Sequence, residues 1–200
     1  MYIFIKVLYM KHFFTIIFTL TITLSVMSQN NASLPYYEIP TSEENYTANA
    51  VVGRMIDGLG FRYYWSTDGL TKKDLEYKPN GEGRNTQETI IHLYDLSNMM
   101  LRLTKTIIKQ SKDKAEMNFA EMRTQTLFNF KALSKKIKAT KDLSELSTSS
   151  KGKVTIPFFN VINGPIADAI WHTGQIATFR RSSGNPINSK INHFSGTVNK

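Results

Sequence analysis

Two hundred residues with 41% apolar, 20% charged and 12% aromatic content suit one soluble globular domain and exclude a disordered chain. The formal charge is +9; setting aside residues 1–28 removes Lys6 and Lys11 and no acid, so it falls by two, to +7. The chain has no cysteine, which excludes disulfides, a thiol nucleophile, Cys-ligated zinc and a lipid-modified N-terminal Cys.

Residues 1–28 have the order of a secretory signal peptide. Lys6, Lys11 and His12 precede the apolar run Phe13–Val26, which is shorter than the roughly 20 residues that span a bilayer. Cleavage is expected after Ser28, and Met10 is an alternative start. The competing reading is an uncleaved anchor over residues 2–27. Signal cleavage implies a periplasmic or secreted bacterial protein with no stable membrane span.

Residues 29–40, with Pro35 and Pro40, read as an extended lead-in. Thr41 and Glu44 have the spacing of a capping box. The helix expected behind them carries Val52, Met55, Ile56, Leu59 and Tyr63 at helical spacing and ends near Asp68. Gly53, Gly58 and Gly60 weaken it on propensity and suit close approach of a neighbour. Trp65 and Asp68 at its end are candidates for a pocket mouth; aromatic packing explains the rings as well.

Residues 70–85 read as a connection. Asn85 and Glu88 then cap a second helix with a stripe of Leu96, Met99, Met100, Leu103 and Ile107. His92 lies on that stripe, four residues before Leu96. A third helix starts near Asn118 and buries Leu127, Phe130, Leu133 and Ile137. Its lysines, Lys131, Lys135, Lys136, Lys138 and Lys141, suit a solvated face; no reading motif accompanies them, which argues against nucleic acid as a partner.

Residues 141–163 form a long crossover, with Val154–Ile162 apolar and extended. Gly164–Pro165 suits the start of a fourth helix with Pro at its first position. That helix ends at Arg180 and Arg181, where cations meet the negative end of the dipole. Gly184–Asn185–Pro186 stops it, and Phe194 is a candidate to pin the tail 187–200. The expected fold is all-α: a four-helix bundle over residues 41–186, with a long crossover between helices three and four. Either a monomer or a homodimer is compatible with it.

The fourth helix carries Asp168 and His172 four residues apart, so both leave one face, one turn apart. His92 of the second helix supplies a third group. Two imidazoles and a carboxylate suit a divalent ion, Zn, Ni, Mn or Fe, with open positions for water or a small-molecule substrate. Gln175 would orient a ligand or that water. Arg180 and Arg181 are candidates for an anionic substrate group, although helix-end electrostatics explains them equally. The competing reading is structural: a hydrogen-bonded core histidine, and an acid favoured by its helix start. No Gly-x-Ser-x-Gly elbow, phosphate loop or His-Glu-x-x-His is present.

The His92 helix, the long crossover and the segment Asp168–Gln175 together resemble the DinB/YfiT-like superfamily of four-helix bundles over approximately residues 42–186. That family places one His on helix two and a His-x-x-x-His pair on helix four, often followed by Gly-Gln. The matching positions are His92, Asp168 and His172, with Gly174–Gln175 following; Asp168 stands where the usual pattern has His. The resemblance implies a metal-dependent enzyme, a hydrolase or a transferase. Family members that use low-molecular-weight thiols work in the cytoplasm, which conflicts with export. The alternative is a non-catalytic bundle with a degenerate metal site.

Overall fold

A computed structural model describes residues 33–150 and 154–199. The expected signal peptide, its cleavage site and the alternative anchor lie outside the described residues. None of the described helices is long and apolar enough to cross a membrane.

The protein is mostly helical. Helix α1 spans Ala48–Thr67, α2 Lys72–Glu76, α3 Thr86–Leu103 and α4 Phe119–Ala139. A short antiparallel ladder pairs β1 (Thr148–Ser150) with β2 (Val154–Ile156), Thr148 opposite Ile156. Helix α5 (Phe158–Val161) follows, then a wide π-type turn (Ile162–Ile166) and α6 (Ala167–Ser182). A two-residue ladder, β3 (Ile191–Asn192) with β4 (Thr197–Val198), closes the chain.

Helices α1 and α3 each pack against both α4 and α6. Between them lie Ile56, Leu59 and Tyr63 of α1; Ile90, Leu93 and Met100 of α3; Leu127, Phe130, Leu133 and Ile137 of α4; and Ala169 and Ile176 of α6. Each fully buried Leu, Ile or Phe contributes about 1.5–3 kcal/mol of transfer free energy, so this shared core holds the four long helices together.

The two expected Asn caps form. Asn85 accepts from the Glu88 amide and Asn118 from the Glu121 amide, and each glutamate answers its cap's own amide. The expected Thr41 cap does not. Helix α1 begins at Ala48 with Thr47 as N-cap, because Thr41 to Ala48 are all exposed and offer nothing to bury. Three stripe residues also fall outside the core. Met55 and Met99 are 40% exposed, and Ile107 lies beyond α3, which ends where Lys105 takes a positive φ of 53°. The expected connection 70–85 contains α2, capped by Thr71 and Asp74.

The last helix is entered at Pro165, directly after the kink at Gly164, as expected, but a short helical stretch precedes that kink. The helical course already begins at Phe158, after the N-cap Pro157, and is extended only at Val154–Ile156. It passes through the wide turn, where Gly164 leaves helical geometry (φ −88°, ψ −105°) and the missing Pro165 amide is accommodated.

The lead-in is part of the fold rather than a loose linker. The buried Tyr36 ring lies against Gly60, where a Cβ would stand 2.5 Å from it, and Gly53 similarly seats the Lys138 side chain. The Tyr36 hydroxyl donates to buried Asp57 (3.1 Å). Lys138 Nζ sits 2.8 Å from the other Asp57 oxygen, paired in charge though not aligned as a hydrogen bond. Burial and then the Asp57 charge push the Tyr36 phenol far above its ordinary pKa. Lead-in and tail also meet directly, Ile39 N–H donating to Gly196 O (2.9 Å). Phe194 does not pin the tail, being wholly exposed; Ile191 does so, packing with Phe61 and Trp65.

Candidate metal centre

His92 projects from the middle of α3, and Asp168 and His172 from consecutive turns of α6, the helix that packs against it. The three side chains converge. His92 Nε2 lies 3.2 Å from Asp168 Oδ2, and His172 Nε2 lies 3.2 Å from Asp168 Oδ1. The two imidazoles meet edge to face, with ring centroids 4.6 Å apart and planes at 89°. Thus each oxygen of one carboxylate faces one imidazole nitrogen.

Gln175 determines which nitrogen is free. His172 Nδ1 is 2.7 Å from Gln175 Oε1, so Nδ1–H donates to the amide oxygen. In the neutral ring this leaves the Nε2 lone pair aimed at Asp168 Oδ1, which also carries lone pairs. A proton or a cation must lie between them.

The spacing fits a cation. One ligand atom from each of His92, Asp168 and His172 can be chosen so that all lie within 4.8 Å of one another. Bonds of about 2.0–2.2 Å to one tetrahedral ion place its ligands roughly 3.3–3.5 Å apart. The side chains are 24% (His92), 40% (Asp168) and 14% (His172) exposed, so the carboxylate edge opens to solvent and the imidazoles are held by packing. Three protein donors with one wet side leave positions for water or a substrate. Asp168 lies in the first turn of α6, just past the kink at Gly164, where an acid also meets the positive end of the helix dipole.

The remaining expected site residues have other roles. Arg180 is buried and caps the end of α1: Nη1 donates to the carbonyls of Trp65 (2.7 Å), Ser66 (3.2 Å) and Asp68 (3.0 Å), and Nε to Asn185 O (2.7 Å). Its donors are engaged by these carbonyls and, through Nη2, by Asn185 Oδ1 (3.2 Å), which makes it a cap rather than a receptor for an anionic substrate. Trp65 is 8% exposed and donates from Nε1 to Tyr37 O (3.0 Å), so it packs rather than lines a mouth. Asp68 accepts from Arg123 Nη2 (3.1 Å). Arg181 is exposed at the surface of α6.

Two of the polar clusters that sequence reasoning missed lie against α1. One is Tyr36–Asp57–Lys138. The other is Arg123, whose guanidinium lies 4.6 Å from the Tyr64 ring centroid while donating to Thr67 and Asp68. Each had a signal: a lone charge, Asp57 or Arg123, beside the apolar positions of its helix.

No family model, curated protein or solved structure matches the chain.

Proposed function

We propose that this chain is an exported four-helix bundle of the DinB/YfiT-like kind that binds a divalent ion through His92, Asp168 and His172. It acts as a metal-dependent hydrolase or transferase on a small molecule. The observation that carries the reading is the convergence of two imidazole Nε2 atoms on the two oxygens of Asp168. A bound divalent ion supplies Lewis acidity and lowers the pKa of a coordinated water. The imidazoles supply two neutral donors, and Asp168 offsets one positive charge. Gln175 keeps His172 in the tautomer that leaves Nε2 free. Export separates the protein from cytoplasmic thiols and favours hydrolysis over thiol transfer.

Metal analysis of the purified protein alongside His172→Ala tests this. The expected result is near-stoichiometric Zn, Ni, Mn or Fe, lost in the variant. A second reading rests on the same 3.2 Å contacts: protonated imidazoles satisfy Asp168 without any ion, and the bundle is a non-catalytic binding module. Metal-free protein whose melting temperature ignores added Zn or Ni selects that reading.

A further inference from the structure

Ten large hydrophobic side chains are conspicuously exposed among the described residues, and five of them, Tyr46, Val51, Met55, Ile170 and Phe194, line one cleft. Scattered singly they would need no explanation; gathered around a concavity they mark a binding site. The cleft runs along the outer face of α1 and has a volume of about 620 Å³, within the range of small-ligand sites. The lead-in and the segment up to Tyr46, Lys138 of α4, Ile170 of α6 and the tail contribute its other walls. The metal centre lies elsewhere, between α6 and α3.

The floor is a stripe of α1. Val51, Met55, Gly58 and Arg62 follow at helical spacing over about 16 Å. Gly58 makes a notch in this stripe: a Cβ there would meet nothing but Arg62 Nη1, at 3.4 Å. Two arginines, Arg54 and Arg62, belong to the lining, and among the described residues neither is ion-paired. Arg54 uses one donor on Pro40 O (2.6 Å). Arg62 uses two, on Gly58 O (3.2 Å) and His193 O (3.4 Å). Each keeps N–H groups for an incoming anion. The one lining carboxylate, Glu43, is already matched by Lys138 (3.6 Å).

We propose that this cleft binds a medium-chain carboxylate, its head on Arg62 and its chain along Gly58, Met55 and Val51. The apolar floor demands a hydrocarbon, and guanidinium fits a carboxylate. A concavity of about 620 Å³ suits a small molecule better than the roughly 800 Å² per partner of a stable protein interface.

Calorimetric titration of the purified protein with decanoate, below its micelle concentration, tests the proposal. One decanoate should bind per chain, and decyltrimethylammonium at least about tenfold more weakly. Arg62→Gln should weaken decanoate at least about tenfold. Gly58→Leu should do the same by filling the notch, while helix propensity keeps the variant as stable as wild type. His172→Ala should bind decanoate unchanged, which separates this site from the metal centre. The proposal is overturned by absent saturation, by equal binding of the cationic amphiphile, by wild-type affinity in both cleft variants, or by loss of binding in His172→Ala. Association with anionic vesicles without decanoate binding overturns it in favour of a membrane surface. A dimer split by Met55→Glu, again without decanoate binding, overturns it in favour of a second copy of the chain.

Discussion

Replacing Gln175 separates tautomer control at the candidate metal centre from packing. Its Oε1 accepts from His172 Nδ1 at 2.7 Å within one helix, so the bond forms without ordering any other element. In Gln175→Ala the ring is free to place its proton on Nε2, the atom that faces Asp168 at 3.2 Å, and a metal must then displace it. Loss of such a partner behind a ligating histidine costs about 10–100-fold in metal affinity, or roughly 1.4–2.7 kcal/mol. The cost to the fold is smaller, about 1 kcal/mol for one part-buried hydrogen bond, or about 2–4 °C in melting temperature for a domain of this size. Gln175→Glu keeps an acceptor at the same place and raises the basicity of the ring, so it should bind at least as tightly as wild type. Competition for zinc against a chromophoric chelator measures all three proteins. Tautomer control by Gln175 is ruled out if Gln175→Ala stays within about threefold of wild type, or if Gln175→Glu is as weak as the alanine variant.

Zinc at a hundredfold its dissociation constant should stabilise the protein by about 2.7 kcal/mol, seen as a rise of about 5–11 °C in a thermal melt and absent in Asp168→Ala. Arg180→Met strands the carbonyls of Trp65, Ser66 and Asp68 and should cost about 3–5 kcal/mol in urea unfolding, with metal stoichiometry unchanged. Gly58→Ala should stabilise α1 by about 0.5–1 kcal/mol, whereas Gly60→Ala should destabilise by about 1–3 kcal/mol, because its Cβ would stand 2.5 Å from the Tyr36 ring; paired urea titrations give both signs. Burial would raise the Asp74 carboxyl, but hydrogen bonds from Ser183, Asn185 and Thr71 outweigh it and hold the group well below its ordinary value of 3.8. With the folded pKa depressed, this stabilisation is complete above about pH 5 and fades as pH falls below the ordinary value toward the folded one. The urea midpoint should therefore drop more steeply between about pH 5 and pH 3 in wild type than in Asp74→Asn.

What was legible in the sequence was mostly local. Asn85–Glu88 and Asn118–Glu121 announce their helices because cap and N3 acid satisfy each other's amides wherever a buried stripe follows at once. Thr41–Glu44 has the same spacing and fails because no buried residue follows it until Ala50. The triad was legible because an i, i+4 pair on one helix and a histidine on another need only those helices to pack. Arg180 was misread because its partners, the carbonyls that end α1, lie more than a hundred residues away in sequence. The roles of Gly53 and Gly60 were half legible: their freedom pointed to a close neighbour, but only the fold shows Lys138 and Tyr36 in those places. Gly164–Pro165 was legible as the entry to the last helix; the short helix Phe158–Val161 ahead of it was not, because a run of four residues shows no helical period.

That widened turn has a bearing on the chemistry. Phe158 and Val161 are buried ahead of it, and the buried line runs on through Pro165 and Ile166 to Ala169, Thr173, Ile176 and Arg180. Pro165 and Ile166 thus seat the resumed helix in the core immediately before the acid. Asp168 and His172 fall beside that line, on the shoulder between two helices, where solvent reaches the carboxylate.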